Sequence, residues 1–110
     1  MTDSHKDCPA HRAISVLQEK WVMHIVRSLL NGSKGFNELG REVGGCNPTT
    51  LTQRLERLES LGLVSKTVCS VVPPKSSYSL TPAGTALEKV IDEIHVWALN
   101  YLSKEAAEAA

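Results

Sequence analysis

The chain has no net charge, few aromatic residues and no long apolar segment. Its 110 residues contain 12 Lys and Arg against 12 Asp and Glu, and only two Trp, two Tyr and one Phe. No apolar run approaches the ~18 residues of a membrane-spanning helix, and the N-terminus lacks the apolar core of a signal peptide. We therefore expect one globular domain, a cytoplasmic location and no membrane partner.

Cysteine is also scarce, and its pattern excludes several classes of protein. The three cysteines are Cys8, Cys46 and Cys69. They cannot all pair, which argues against a disulfide framework. Cys8 with His5 or His11 could suggest a metal site, but this ligand set is small and no second pair with metal-ligand spacing is present. We expect Cys46 in a turn and Cys69 in a strand, both as small apolar residues. Paired carboxylates, a Ser/His/Asp grouping and a Gly-rich phosphate loop are missing too, so we expect no enzyme activity, no cofactor and no metal.

Apolar spacing predicts three helices in the N-terminal half. The first begins at Pro9, because the first helical position needs no N–H donor. The second spans about residues 20–30 and stops at Asn31-Gly32; its apolar face comprises Trp21, Val22, Ile25, Val26, Leu29 and Leu30. Phe36 is expected in a brief extended stretch, with Asn37 capping a third helix over residues 37–43.

The C-terminal half is predicted to contain a helix, a hairpin and a last long helix. Asn47-Pro48 starts the fourth helix, which runs to about Leu61. The β-branched run at residues 63–72 and the segment 75–80 predict two antiparallel strands around a proline loop. Thr81-Pro82 starts the last helix. The predicted fold class is therefore mainly α with a two-stranded β-hairpin (α+β), with residues 8–102 folded, a flexible N-terminus at 1–7 and a frayed tail at 103–110.

Two short helices followed by a hairpin are the order of a winged helix-turn-helix. On the fourth helix, Leu51, Leu55 and Leu58 share one stripe that must face the core. The opposite face contains the candidate DNA-binding residues, which with those of the wing loop are Thr49, Thr50, Gln53, Arg54, Arg57, Lys75 and Ser76. Thr and Gln near a helix N-terminus suit base edges, and Arg or Lys suits guanine or phosphate. An ordinary solvated helix face and loop would contain similar residues, so the pattern alone leaves both interpretations open.

The last helix has a wider apolar stripe than one monomer core needs. We expect Ile94, Trp97, Tyr101 and Leu102 to meet a second subunit. The alternative is that this stripe simply covers the helical core of the same chain.

Several short motifs in unbroken order resemble the HxlR-type regulators, which are relatives of the MarR group. They are Cys8-Pro9, Lys20-Trp21, Phe36-Asn37-Glu38-Leu39, Leu51-Thr52-Gln53-Arg54-Leu55, Gly62-Leu63-Val64, Val72-Pro73-Pro74 and Tyr78-Ser79-Leu80-Thr81. The resemblance covers roughly residues 8–102. It implies a winged-helix fold, a homodimer built from the first and last helices, which adds Ile14 and Leu17 to the interface, and binding to a pseudo-palindromic operator in double-stranded DNA.

The resemblance also assigns roles by position. DNA reading falls on Thr49, Thr50, Gln53 and Arg54, and the wing role on Lys75, where relatives often have Arg. Some HxlR-type proteins sense electrophiles or oxidants through the cysteine that Cys8 matches.

A thiol at a helix start near Lys6 and His11 can have a depressed pKa. Cys8 is therefore a candidate redox sensor; the alternative is a structural or merely exposed thiol. A small-molecule or oxidant effector is expected, without an identity. A winged-helix module that binds proteins instead of DNA is the remaining alternative, and its association with duplexes would be weak and insensitive to salt.

Overall fold

The computed structural model describes residues 8–102 and residue 104. The predicted flexible N-terminus at residues 1–7 lies outside the described residues, as does the predicted frayed tail apart from residue 104. In chain order the elements are α1 (Pro9–Leu17), α2 (Val22–Leu29), β1 (Lys34–Gly35), α3 (Phe36–Val43), α4 (Pro48–Ser60), β2 (Val64–Ser70), β3 (Lys75–Leu80), α5 (Pro82–Thr85) and α6 (Glu88–Tyr101). This is a winged helix-turn-helix, as predicted.

The core lies between α2, α3, α4 and the sheet. Its buried residues are Val22, Ile25, Val26, Leu29, Leu39, Leu51, Leu55, Leu58, Val64 and Tyr78. The helical spacing in α2 and α4 predicted most of them, because residues at steps of three and four share one face. Each fully buried aliphatic side chain contributes about 1.5–3 kcal/mol relative to exposure, so this cluster is what holds α4 in place.

The sheet has three strands rather than the predicted two. Its order is β1-β3-β2, with Lys34 opposite Tyr78 and Gly35 opposite Ser77. A strand of two residues is too short to show an alternating pattern in the sequence. β1 exists only because it pairs with β3, which is distant along the chain. The predicted two-stranded hairpin is present as β2 and β3, and β1 is a third strand that the sequence did not predict.

The third helix begins one residue earlier than predicted. Gly35 is its N-cap residue, without a side-chain cap, and Phe36 is already helical. Asn37 therefore caps nothing, and the extended stretch expected at Phe36 lies at Lys34–Gly35 instead. Phe36 packs against the core from the first helical position, and this tertiary contact outweighs the local capping preference of Asn37.

The last predicted helix is broken into α5 and α6. The Thr81 hydroxyl caps α5 by accepting a hydrogen bond from the Gly84 N–H at 3.2 Å, as the Thr81-Pro82 pair predicted. Gly84 is buried, and a Cβ there would overlap the Leu63 carbonyl oxygen. The chain turns at Ala86 and Leu87 and restarts as α6 at Glu88. On the two sides of this break, α5 packs against β3, and Leu87 and Ile91 pack partly against the core.

A polar network joins α2, β1 and α3 beneath the surface. The Lys34 ammonium lies 3.3 Å from Glu42 Oε2, and its side chain is only 9% exposed. The Ser28 hydroxyl donates to Glu42 Oε1 at 3.0 Å. Glu42 thus satisfies two polar groups that would otherwise be buried without partners.

No helix in the described part of the chain has the length and apolar character needed to cross a membrane. Within the same residues, no cluster of three or more His, Cys, Asp or Glu side chains is placed to hold a metal ion.

Candidate nucleic-acid interface

The N-terminus of α4 is ordered by the local signals that the sequence contains. Asn47 Oδ1 accepts a hydrogen bond from the Thr50 N–H at 2.8 Å, and Pro48 occupies the first turn. The first turn contains no acidic residue. Leu51, Leu55 and Leu58 are buried, so the helix end is held rigidly with its polar face outward.

The predicted base-reading residues do not all have the same exposure. Thr49 and Gln53 are exposed, whereas Thr50 is half-buried and provides the N–H for the cap. The outward face of the first two turns is therefore formed mainly by Thr49 and Gln53, with Thr52 beside them. These side chains are short, uncharged donors and acceptors, which suits the edges of bases in the major groove.

Arg54 and Arg57 point to the turn between α1 and α2, a contact that the sequence did not indicate. Arg54 Nε donates to the Lys20 carbonyl oxygen at 2.8 Å. Arg57 Nε donates to Glu19 Oε2 at 3.1 Å. Both arginines leave α4 on one side, since residues three apart are neighbours on a helix.

The wing is the β2–β3 hairpin. Lys75 is exposed at the start of β3 opposite Ser70, and Ser76 is half-buried opposite Val68. The surface of the wing tip is more apolar than the predicted Lys75 contact implied, because Val71 is 76% and Val72 is 89% exposed. Cys69 is exposed as well. Cys69 lies in a strand, as predicted, but its side chain is not packed in the core, because β2 after Val64 faces solvent along the hairpin.

Cys8 is the N-cap residue of α1 and is fully exposed. The backbone N–H groups of His11 and Ala10 lower the pKa of its thiol, with a further small effect of the Arg12 charge. The physical cause is that unsatisfied N–H groups at a helix N-terminus stabilise an adjacent anion. Cys8 is therefore a thiol with raised thiolate content at neutral pH and free access to solvent.

The predicted interface residues lie on two helices and differ in exposure. No residue of α6 is buried. Ile94 is 50%, Trp97 55%, Tyr101 76% and Leu102 43% exposed, and on α1 Ile14 is 62% exposed. Leu17 instead packs partly against the core of its own chain. The Trp97 and Tyr101 rings lie 6.3 Å apart, so an apolar, aromatic surface runs along α6.

Comparison with known proteins shows which family and which regulators this chain is similar to. The model of the HxlR-like helix-turn-helix family matches residues 16–106. YvaP of Bacillus subtilis, an HTH-type transcriptional regulator, is 36% identical over 96 residues, which cover 86% of this chain and 89% of YvaP.

Two solved structures extend the comparison. The reduced form of the transcriptional regulator YodB from B. subtilis has a TM-score of 0.76 at 34% identity and covers 86% of this chain and 93% of YodB. YodB has also been solved in quinone-bound and diamide-treated forms. The redox regulator HypR in its oxidized form has a TM-score of 0.76 at 33% identity and covers 84% of this chain and 96% of HypR. The chain belongs to the HxlR-like helix-turn-helix family and is a transcriptional regulator of the HxlR/MarR type.

Proposed function

We propose that this regulator acts as a homodimer that binds double-stranded DNA sequence-specifically, with the N-terminal half of α4 in the major groove. The observation that carries the proposal is the geometry of the first two turns of α4. Asn47 caps them, no carboxylate precedes Glu56, and Thr49 and Gln53 are exposed on a helix held by buried leucines. Recognition helices contact base edges with their N-terminal residues, so this is the part of α4 that must be rigid and accessible.

Base reading is assigned to Gln53, Thr49 and Thr50. A glutamine amide can make two hydrogen bonds to adenine, and threonine methyl groups can contact the methyl group of thymine. Arg54 and Arg57 are assigned to the phosphate backbone, because their Nε atoms are already used and the rest of each guanidinium remains for an anion.

The wing is assigned to the backbone or minor groove beside the site. Lys75 supplies a charge and Ser76 a hydroxyl donor to phosphate. These contacts add affinity for any duplex and carry little sequence information.

The dimer is assigned to α6 together with α1. A helix without one buried residue and with Ile94 and Trp97 half exposed leaves a large apolar surface in water, which marks an interface. A two-fold dimer presents two α4 helices, so its operator is pseudo-palindromic with half-sites about 34–36 Å apart, or a multiple of that spacing.

A second function is favoured by Cys8, which we propose as a redox or electrophile sensor of this regulator. Its support is the exposed thiol with its lowered pKa at the start of α1, a helix assigned to the dimer. The similar proteins YodB and HypR are solved in reduced, quinone-bound, diamide-treated and oxidized forms. The effector that this assignment implies is an oxidant or another small molecule that reacts with the thiol. The absence of enzyme activity and the cytoplasmic location also stay predictions.

Selection of bound duplexes from a random pool, followed by titration at several salt concentrations, tests DNA binding. We expect affinity to fall steeply as salt rises, because neutralised phosphates release counterions. Gln53→Ala should weaken operator binding by about 1–3 kcal/mol and leave random duplexes little changed, whereas Lys75→Ala should weaken all duplexes alike. Ser33→Ala, at an exposed position before β1 and outside both α4 and the wing, is the control. Weak association that salt does not change would contradict DNA binding and favour a protein-binding module.

Titration of operator affinity with diamide and with a quinone, in wild type and Cys8→Ser, tests the sensor. We expect the wild-type affinity to change and the variant affinity to stay constant. The same response in both proteins would remove the sensor assignment while leaving DNA binding intact.

A further inference from the structure

The turn between α1 and α2, residues 18–21, contacts the recognition helix at two points; we call it the elbow. Its backbone is ordered by the Gln18 N–H, which donates to the Ile14 carbonyl oxygen at 2.9 Å, and by the Val22 N–H, which donates to that of Glu19 at 3.1 Å. From this turn Glu19 and Lys20 reach α4. The elbow is therefore a fixed structure and not a loose linker.

Trp21 ends the elbow in a backbone conformation that costs energy. Its φ is 77°, the positive-φ region that bulky residues rarely adopt. The indole lies against the helix-turn-helix turn, where a Cβ on Gly45 would be 3.6 Å from the Trp21 ring. The Lys20 ammonium lies 5.3 Å from the ring centroid. A strained residue persists only where its surroundings hold it, so the elbow and the helix-turn-helix are one rigid unit.

Each of the two contacts between the elbow and α4 holds an arginine side chain by its Nε atom. The Lys20 carbonyl oxygen binds Arg54 Nε, and the Glu19 carboxylate binds Arg57 Nε. Neither guanidinium makes another hydrogen bond within residues 8–102. The Nη atoms, whose paired N–H groups match a phosphate, are left available, and Arg57 is still 45% exposed.

We propose that Glu19 is a positioning residue for DNA binding: its carboxylate, with the Lys20 carbonyl oxygen, holds the Arg57 and Arg54 guanidinium groups ready to bind phosphate. This inference rests on the proposed function. A free arginine loses side-chain freedom when it binds phosphate, whereas an arginine that is already oriented loses less. Glu19 lies outside the helix-turn-helix, and simple electrostatics would assign it the opposite effect, because a carboxylate near DNA repels phosphate.

The two effects of Glu19 have opposite signs, which makes the proposal testable. Glu19→Ala removes both the charge and the hydrogen-bond acceptor, and we expect duplex affinity to fall about 2- to 10-fold. Glu19→Gln keeps an acceptor oxygen, so it should recover most of that affinity. Glu59→Ala is the matched control: it also removes one carboxylate, here an exposed one on α4 itself, and should bind at least as tightly as wild type. The probes are the selected operator and a random duplex, and both should respond, since phosphate contacts are independent of sequence.

A double-mutant cycle with Arg57→Ala separates positioning from a general loss of structure. In the Arg57→Ala background, Glu19→Ala should cause no further loss, because the group that Glu19 orients is gone. Circular dichroism and thermal unfolding of each variant report whether the fold is intact. Affinity of Glu19→Ala equal to or above wild type would overturn the proposal, as would an equal loss in both backgrounds. A wild-type chain that binds no duplex in a salt-dependent manner would instead overturn the proposed function.

Discussion

Two glycines in helices differ in the space around them, and this difference predicts opposite effects of alanine on the free energy of unfolding. Gly84 in α5 and Gly40 in α3 both lie in helices, and neither has a positive φ. By helix propensity alone, replacing either with alanine should stabilise the protein by up to about 1 kcal/mol. The structure reverses this expectation at one of the two sites.

At Gly84 the added methyl group has no space. It would overlap the Leu63 carbonyl oxygen and lie 3.0 Å from Leu80 Cδ2. The carbonyl cannot move freely, because it accepts a hydrogen bond from the Thr81 N–H at 3.1 Å. Overpacking costs about 1–3 kcal/mol, and loss of that hydrogen bond adds about 1 kcal/mol. After the propensity gain, we expect Gly84→Ala to lower the free energy of unfolding by about 1–3 kcal/mol.

At Gly40 the added methyl group would meet Leu51 Cδ2 at 3.5 Å, an ordinary contact. Gly40→Ala should therefore raise the free energy of unfolding by about 0.5–1 kcal/mol. Urea unfolding at one fixed protein concentration measures both, since dimerisation makes stability depend on concentration. A Gly84→Ala protein as stable as wild type would refute the close approach of α5 to Leu63. A Gly40→Ala protein less stable than wild type would refute the packing of α3 on α4.

Three further predictions follow from other parts of the molecule. In a chain whose other two cysteines are Ser, alkylation of Cys8 should reach its half-maximal rate at a lower pH when folded than in urea, because the N–H groups that lower its pKa belong to folded α1; equal midpoints would contradict this. Glu42→Ala should lower the free energy of unfolding by about 1–3 kcal/mol. The loss is smaller than for a fully buried ion pair, because the Glu42 side chain is 40% exposed while that of Lys34 is 9% exposed. Glu38→Ala, on the exposed side of the same helix, is the control, and an equal loss in that variant would contradict a special role of the ion pair. Trp97→Ala should raise the dimer dissociation constant at least about 30-fold in sedimentation and leave the monomer folded, since each subunit would lose an aromatic anchor; unchanged sedimentation would place the interface elsewhere.

Local chemistry made much of the recognition helix predictable. Asn47 and Pro48 are start signals that act within one turn, and the structure has α4 beginning at Pro48 with the Asn47 cap formed. The spacing of Leu51, Leu55 and Leu58 likewise predicted which face is buried. Such signals depend on neighbouring residues, so a single sequence is enough to read them.

The predictions of local structure were incomplete or wrong where contact with a distant segment of the chain determines that structure. Lys34 and Gly35 form a strand only because β3, more than forty residues later, pairs with them. The last helix breaks around Ala86 where Gly84 lies against Leu63, and the sequence alone reads as one continuous amphipathic helix. The elbow contacts of Arg54 and Arg57 span 34 and 38 residues, a separation at which no periodic pattern is informative.

The sequence by itself thus determined the order of α1 to α4 and of the hairpin that follows them, the core face of α4, the exposed Thr49 and Gln53 and the family resemblance. The reason is that helix caps, helical periodicity and short motifs are local. Tertiary structure alone decided that Lys34 is buried with Glu42, that the third strand exists and that Arg54 and Arg57 are held by the elbow. These features require groups far apart in the chain to meet, and their free energy exists only when the whole domain is folded.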